Sequence, residues 1–256
     1  MEQVERTVIG VDLAAGRGIT ALAALRLTMR DGRRAPVALS LLGVVHPPDD
    51  DAIVAEAAHT QPAVIGLDAP LSLPAQVAAA VRGASPPLGG AGNASPYTRA
   101  AERDPIWSRL GVRPFPVSFL GGLTFRAIPL ATRLRARMPA SQVIEVFPSA
   151  ALVALELRAG ARRGQPRQAK TSLDGRRATQ NALAVYVSGM APATGQRPPL
   201  DADSLDAIAA ALTAAAAVVE AVQAIGEPSE GCIILPSRRA AEIFIPQSAP
   251  GAAYDV

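Results

Sequence analysis

The 256-residue sequence contains one cysteine, Cys232, and two histidines, His46 and His59. A single cysteine cannot form a disulfide within the chain, and neither a zinc cluster nor a Cys/His catalytic pair is indicated. Each histidine stands alone in the sequence, and both are interpreted as structural or surface residues. Aromatic residues make up only 4% of the chain and Lys170 is its only lysine, so arginine supplies nearly all of the positive charge.

Long uninterrupted hydrophobic runs are lacking as well. The most apolar long segment, Ala207–Ile225, is mainly alanine and contains Glu220, which is typical of a packed helix rather than a membrane span. Met1–Thr7 is charged and the apolar run after it stops at Asp12, so no signal peptide is predicted. With 49% hydrophobic and 18% charged residues, the chain can bury a substantial core. We therefore expect a cytoplasmic protein, without a membrane segment, that folds as a single domain over residues 1–256.

The positive charge is unevenly distributed along the chain. The formal net charge is only +3, yet residues 97–137 contain eight arginines against two acidic residues, and residues 158–177 contain seven basic residues against one. Each stretch therefore has a net charge of +6 within an otherwise acidic chain. Such stretches indicate an anionic partner, either nucleic acid or a nucleotide. A general preference for arginine in the coding sequence is the alternative explanation.

Hydrophobic patterns predict a mixed α/β fold. The nearly all-apolar segment Thr7–Ala14 is predicted to be a strand buried on both faces. Two antiparallel strands are predicted to follow it at Gly18–Leu27 and Pro36–Val45, with a hairpin turn at residues 30–33. After a predicted helix, Ala63–Pro70 is predicted to be a strand parallel to the first. The remaining predictions are helices at Asp49–His59, Arg99–Leu110, Thr124–Arg137, Ser149–Leu157, Leu173–Val187 and Asp201–Ala224, and strands at Gln142–Pro148 and Glu230–Pro236.

Residues 71–139 are predicted to be a large irregular insertion. Residues 85–96 are rich in proline, glycine and serine and are predicted to form a long loop. The insertion could fold over the edge of the sheet as a basic lid that binds substrate through Arg99, Arg103, Arg109, Arg113 and Arg126. Trp107 and Phe115 could stack on a base, although packing in the core is the favoured interpretation for both.

Acidic residues recur at the ends of the predicted buried strands. Asp12 and Asp68 each end a strand, and the carboxyl ends of parallel strands meet at one edge of a sheet, where ligands bind. Glu145 lies inside a third apolar strand, where an unsatisfied charge is costly. Asp203 and Asp206 are spaced i, i+3 and share a face of the predicted last helix. The alternatives are turn-capping roles for Asp12 and Asp68 and a favourable interaction of Asp203 with the helix dipole.

This order of elements and acids resembles the ribonuclease H-like fold and the family called domain of unknown function 429, described as predicted nucleases of that fold. The resemblance is carried by five segments spread over nearly the whole chain: Gly10-Val11-Asp12, Leu67–Pro74, Arg99-x-x-x-Arg103-Asp104, Ile144–Pro148, and Asp203-x-x-Asp206-Ala207 with the small residues after it. It implies a mixed sheet, formed by an antiparallel three-stranded meander plus parallel strands, that is flanked by helices.

The resemblance also implies a chemistry, the two-metal hydrolysis of phosphodiester bonds. Two Mg²⁺ or Mn²⁺ ions are expected, since such hard cations prefer carboxylate oxygens. Asp12 would contact both ions, Asp68 or Glu145 would complete one site, and Asp206, with Asp203, would complete the other. The arginines of the insertion would bind the phosphates of nucleic acid. A homodimer is one possible assembly.

Two other functions remain open from the sequence. A nucleotide-binding protein of the actin and sugar-kinase type shares an opening strand, aspartate and glycine-rich turn, which Asp12–Thr20 partly matches. A second glycine-rich phosphate loop is not evident, and the chain is short for that duplicated architecture. The other alternative is a non-catalytic module that binds nucleic acid through its arginine-rich stretches. Acidic residues at all four sites, namely Asp12, Asp68, Glu145 and the Asp203/Asp206 pair, favour the nuclease.

Overall fold

The computed structural model describes residues 3–16, 18–30, 37–84, 97–155, 172–194 and 197–244. The predicted hairpin turn at residues 30–33 and the predicted loop at residues 85–96 fall almost wholly outside these ranges. So does most of the basic stretch at residues 158–177.

The centre of the molecule is a mixed sheet. Strands β1 (Gln3–Asp12), β2 (Ala21–Arg30) and β3 (Val37–Val45) form an antiparallel meander. Strand β4 (Val64–Asp68) pairs in parallel with β1, and β5 (Gln142–Val146) pairs in parallel with β4. This arrangement of meander and parallel strands confirms the predicted ribonuclease H-like sheet.

Three further strands extend the sheet at its edges. They are β6 (Val187–Ser188), β7 (Val222–Glu227) and β8 (Gly231–Pro236), and the complete order is β6-β3-β2-β1-β4-β5-β8-β7. The prediction of helix up to Ala224 was wrong for its last residues, because the helix ends at Val218 and the chain reverses at Glu220, whose φ is +55°. The predicted helix over Leu173–Val187 ends at Ala184, and its last predicted residue lies in β6.

The helices cover both faces of the sheet. The predicted helix over Arg99–Leu110 is divided in two at Asp104 and Pro105, and two short helices within residues 75–81 and 238–243 were not predicted. The helices are α1 (Asp50–Thr60), α2 (Ala75–Val81), α3 (Ala100–Arg103), α4 (Ile106–Leu110), α5 (Gly121–Arg137), α6 (Pro148–Ala154), α7 (Leu173–Ala184), α8 (Ala202–Val218) and α9 (Arg238–Ile243). Within the described ranges, no helix combines the length and the apolar character needed to cross a membrane.

Successive side chains of a strand point to opposite faces of the sheet, so the hydrophobic core is divided into two layers. In β1, Val8 packs in the layer formed with α8, whereas Ile9 and Val11 pack in the layer formed with α1 and α5. Helix α8 is buried along nearly its whole length, from Ser204 to Ala216. Alanines on its surface allow this helix to lie close to β1 and β4. Only strand residues whose side chains point to the face covered by α8 can therefore contact that helix.

Candidate metal centre

Two aspartates end adjacent parallel strands. Asp12 is the last residue of β1 and Asp68 the last of β4, and the two are paired in register. Gly10 and Gly66, two positions earlier in each strand, are also a register pair and lie under α8. Since side chains alternate between the faces of a strand, both carboxylates lie on the face that α8 covers.

The two glycines allow α8 to approach the strands closely. A Cβ atom at Gly10 would lie 2.1 Å from the backbone nitrogen of Ala211 and 2.3 Å from the carbonyl oxygen of Ala207. A Cβ atom at Gly66 would lie 2.9 Å from the carbonyl oxygen of Ala210. This backbone contact lies immediately after Asp206, which is only 5% exposed. The paired glycines thus bring the first turns of α8, and Asp206 with them, against the aspartate-bearing strands.

Asp12, Asp68 and Asp206 form one group. Each offers a carboxylate oxygen, and these oxygens all lie within 4.8 Å of one another. Two oxygens bound to one Mg²⁺ ion at 2.0–2.1 Å are separated by no more than about 4.2 Å, which is close to the separation found here. Three carboxylates and no nitrogen or sulfur donor form a set suited to a hard divalent cation. The residues present therefore fit Mg²⁺ or Mn²⁺.

Asp203 lies in the first turn of α8 and is half-buried. It is not one of the three described residues whose oxygens converge. The helix begins at Asp201, whose carboxylate accepts hydrogen bonds from the Ser204 backbone nitrogen (2.7 Å) and hydroxyl (3.0 Å). Burial alone would raise the pKa of Asp201, but these hydrogen bonds and the charge of His46 outweigh it and lower that pKa. Asp201 therefore serves as the N-cap that fixes where α8 starts.

Glu145 is on the opposite face of the sheet from the three aspartates. It alternates with Ile144 and Val146, which pack in the layer of α8, and it is paired in register with Leu67 of the other layer. Its carboxylate is bound at both oxygens by the Arg99 guanidinium. Burial raises the pKa of the Glu145 carboxyl, and the hydrogen bonds and charge of Arg99 act to lower it. The structure thus pairs Glu145 with a cation of the protein instead of placing it in the aspartate group.

Arg99 is buried in this network, with 1% of its surface exposed. Its Nε donates to Glu102 over 2.9 Å, and its Nη1 donates to the Ser72 hydroxyl over 2.9 Å. Burial alone would lower the pKa of Arg99, but its contacts with Glu145 and Glu102 raise it, so the guanidinium stays charged. Arg99 and Glu145 also line the cavity that Asp12 and Asp68 line. Two carboxylates already bind the guanidinium, and its expected role in substrate binding stays a prediction.

The other four arginines expected to bind substrate occupy different environments. Arg103, Arg109 and Arg113 are exposed, and Arg103 donates to the carbonyl oxygen of Thr98. Arg126 is partly buried and donates to Asp50 (2.9 Å) and to the carbonyl oxygen of Ala14 (2.6 Å). Arg126 thus connects α5 to α1 and to the turn after β1. Of the four, Arg113 shares a surface with Asp12 and Asp68.

That surface is a cavity of about 400 Å³ at the carboxyl edge of the parallel strands. Its walls include Asp12, Asp68, Arg113 and Phe115. Phe115 is 60% exposed, so the favoured expectation that it packs in the core was wrong. Trp107 does pack in the core, where it makes an edge-to-face contact with Phe147. The cavity gives a ligand access to Asp12 and Asp68 from solvent.

Comparison with known proteins identifies the family. A family model described as "Protein of unknown function (DUF429)" matches residues 10–230. The chain belongs to this family. No curated protein matches the chain. A solved structure described as "Thermus thermophilus RuvC structure" is similar at 13% sequence identity and a TM-score of 0.35, over 80% of this chain and 90% of that one. The fold assignment rests on strand order and direction and not on this likeness.

The segment matched by the DUF429 model contains all three aspartates, the paired glycines and the Arg99–Glu145 pair. Sequence reasoning overlooked Gly10 and Gly66 as site residues. The signal was present, because each glycine stands two positions before a strand-ending aspartate. The pairing of Arg99 with Glu145 had no comparable signal, since 46 residues separate the two.

Proposed function

We propose that the protein is a metal-dependent nuclease that hydrolyses phosphodiester bonds of nucleic acid at Asp12, Asp68 and Asp206. The observation that carries the proposal is the convergence of these three carboxylates at the carboxyl edge of the sheet, where Asp12 and Asp68 line an open cavity. Three carboxylates held together by two strands and a helix repel one another, and divalent cations offset that repulsion. The family match and the order of the strands are consistent with this assignment.

Each residue has an assigned role. Asp12 would hold two divalent ions jointly, Asp68 would complete one site, and Asp206, with Asp203 one turn away, would complete the other. When bound, such ions would supply an activated water and stabilise the leaving oxygen. Arg113, exposed at the cavity, would bind a phosphate next to the cleaved one. Glu145 would act by positioning, because it binds the backbone nitrogen of Leu71 just after Asp68.

The neighbouring glycine-rich turn disfavours the nucleotide-binding alternative. Gly16 and Gly18 face an open cavity of about 740 Å³ that is also lined by the acidic residues 49–51. Arg126 and Arg133 line the cavity too, but each is already paired with a carboxylate, Arg126 with Asp50 and Arg133 with Asp51. A polyphosphate at the turn would have to compete with these two carboxylates for the arginines and would also meet the carboxylate of Asp49.

Cleavage of labelled nucleic acids tests the proposal. Single-stranded, duplex and branched DNA and RNA would be incubated with Mg²⁺, Mn²⁺ or EDTA, using wild type and the Asp12→Asn and Asp206→Asn variants. Asp174→Asn is the matched control, because Asp174 lies on α7 and its side chain is 73% exposed. We expect metal-dependent cleavage by wild type and Asp174→Asn, and none by the other two. No cleavage, together with no Mn²⁺ uptake by calorimetry, would refute the proposal.

A further inference from the structure

Three of the five phenylalanines are on the surface. Phe115, Phe119 and Phe125 are 60%, 75% and 65% exposed. Phenylalanine is usually buried, and a patch of exposed aromatic rings is typical of a surface that binds a ligand or a macromolecular partner. Phe115 and Phe119 are stacked, with ring centroids 5.2 Å apart and ring planes inclined by 21°. The molecule therefore presents a pair of nearly parallel phenyl rings to solvent.

The ring pair adjoins the candidate metal centre. Phe115 lines the same 400 Å³ cavity as Asp12 and Asp68, and Arg113 lines it too. One opening thus combines carboxylates suited to divalent cations, an exposed guanidinium and an aromatic ring. A phosphate suits the guanidinium directly and the carboxylates through bound cations, and a flat, apolar ring suits the aromatic ring. Nucleotides contain both parts, joined by a short sugar linkage.

We propose that the Phe115–Phe119 pair, with Phe115 at the cavity, is a stacking platform for unpaired bases, so that the protein selects single-stranded nucleic acid. The cleaved phosphate would lie at the aspartates and the adjacent bases on the rings; this placement rests on the proposed nuclease function. In a duplex, both faces of an internal base are covered by neighbouring base pairs. Along a strand, an unpaired base can offer a face to Phe115 whereas an internal base of a duplex cannot, and because every base has such a face, selection is for strandedness and not for sequence.

Charge complementarity favours nucleic acid over a protein partner at this surface. Arg113 is two positions from Phe115 and exposed, so an anion contacting the guanidinium can hold its attached base near the ring. Self-association through the rings is an outcome of the test that would count against the proposal.

Binding measured without metal tests the platform separately from cleavage. Fluorescence anisotropy in EDTA would compare a labelled 20-mer single strand with its duplex. We expect wild type to prefer the single strand. Phe115→Ala and Phe119→Ala should each weaken single-strand binding about fivefold or more and leave duplex binding unchanged. Phe125→Ala is the matched control, because it removes an equally exposed ring outside the cavity wall and the ring pair, and it should bind as wild type does.

An abasic series makes the test specific for stacking. Oligonucleotides that lack one base would be scanned along the strand for the position at which the loss weakens binding to wild type. At that position, we expect the loss of the base and Phe115→Ala to be non-additive, because both remove the same contact. Additive effects at every position would overturn the stacking proposal. Equal thermal midpoints for the variants would show that the fold is intact.

The outcomes separate this inference from the nuclease proposal. Single-strand preference that depends on Phe115, in a protein that cleaves nothing, supports the platform and refutes the nuclease. Metal-dependent cleavage with equal binding by wild type, Phe115→Ala and Phe125→Ala does the reverse. Sedimentation that shows a wild-type dimer and a Phe119→Ala monomer would assign the rings to self-association and overturn the platform.

Discussion

The Arg99 guanidinium donates hydrogen bonds to both carboxylate oxygens of Glu145, over 2.7 Å to Oε2 and 2.6 Å to Oε1. The side chains are almost completely buried, with exposed fractions of 1% and 6%. Oε2 also accepts the backbone N–H of Leu71 over 2.8 Å, three residues after Asp68. A buried ion pair thus holds the chain segment that follows one of the candidate metal ligands.

Arg99→Met should destabilise the protein by about 3–5 kcal/mol, because it leaves both Glu145 and Glu102 buried without their cation. Glu145→Gln should cost less, since Arg99 keeps its pairing with Glu102 and glutamine still offers an oxygen. Free energies of unfolding from urea titrations at pH 7 check this order. Arg103→Met, an exposed arginine on α3, is the control and should change stability by less than about 1 kcal/mol.

The Arg99→Met variant should also become more stable as the pH falls. Burial already raises the pKa of Glu145, and without Arg99 nothing charged opposes that rise. A carboxyl whose folded pKa is raised binds its proton more tightly when folded, so the destabilisation it causes is absent below the unfolded pKa, grows as the pH rises from the unfolded towards the folded value, and is constant above that. The deficit relative to wild type should shrink between pH 7 and pH 5. A deficit that is constant with pH would contradict this account.

Gly10→Ala should disrupt the contact between α8 and β1. The added methyl would lie 2.1 Å from the backbone nitrogen of Ala211, so the helix must move. Overpacking of this kind costs about 1–3 kcal/mol, and the shift would also displace Asp206. Gly43→Ala on β3 is the matched control, because no atom lies within 4 Å of its added Cβ. Thermal unfolding and Mn²⁺ calorimetry should both be impaired in Gly10→Ala alone, and equal behaviour of the two variants would argue against the close-contact explanation.

The central strands of the sheet were predictable from sequence, and the edge strand β7 was not. Short β-branched runs ending at Asp12 and Asp68 predict buried parallel strands, and β1 and β4 end at these residues. By contrast, the alanine-rich segment that forms α8 continues without a proline or glycine into β7. The helix ends because Glu220 adopts a left-handed conformation, which helix propensity does not predict. Tertiary pairing of β7 with β8 overrides local preference there.

The site was partly predictable, because sequence indicates where a strand ends but not which face a side chain occupies. Position at a strand end suggests which edge an acid occupies, and the structure brings Asp12, Asp68 and Asp206 together. The face of a strand depends on register, and a shift of one residue reverses it. Glu145 stands one position too early to share the face of Asp68, as its pairing with Leu67 shows. The partner that satisfies it, Arg99, comes from a distant polar segment that resembled solvent-exposed surface.

Asp206→Asn should stabilise the metal-free protein while weakening its response to metal. Without cations, three carboxylates with oxygens within 4.8 Å repel one another, so removing one charge relieves repulsion. With Mn²⁺, wild type should gain stability through ion binding, and the variant should gain much less. Thermal midpoints in EDTA and in Mn²⁺ measure both effects, with Asp174→Asn as the control. A variant less stable than wild type in EDTA would show that Asp206 is needed for the fold itself.

The N-cap of α8 should make a pH-dependent contribution to stability through Asp201. Its lowered pKa means that the contribution is present above the ordinary aspartate pKa of 3.8 and is lost as pH falls through the folded value. Asp201→Asn keeps an oxygen for the Ser204 N–H but loses the charge. Because the side chain is 48% exposed, the difference from wild type at pH 7 should stay below about 1 kcal/mol.

Asp201→Ala removes the cap and should cost about 1 kcal/mol at pH 7. Paired urea titrations from pH 7 down to pH 2.5 separate the charge from the hydrogen bond. The stability of wild type and Asp201→Asn should converge as the aspartate becomes protonated, whereas Asp201→Ala should remain below both, because it alone lacks an oxygen for the Ser204 N–H. A difference between wild type and Asp201→Asn that does not change with pH would mean that the charge contributes nothing, and that the hydrogen bond alone fixes the start of the helix bearing Asp206.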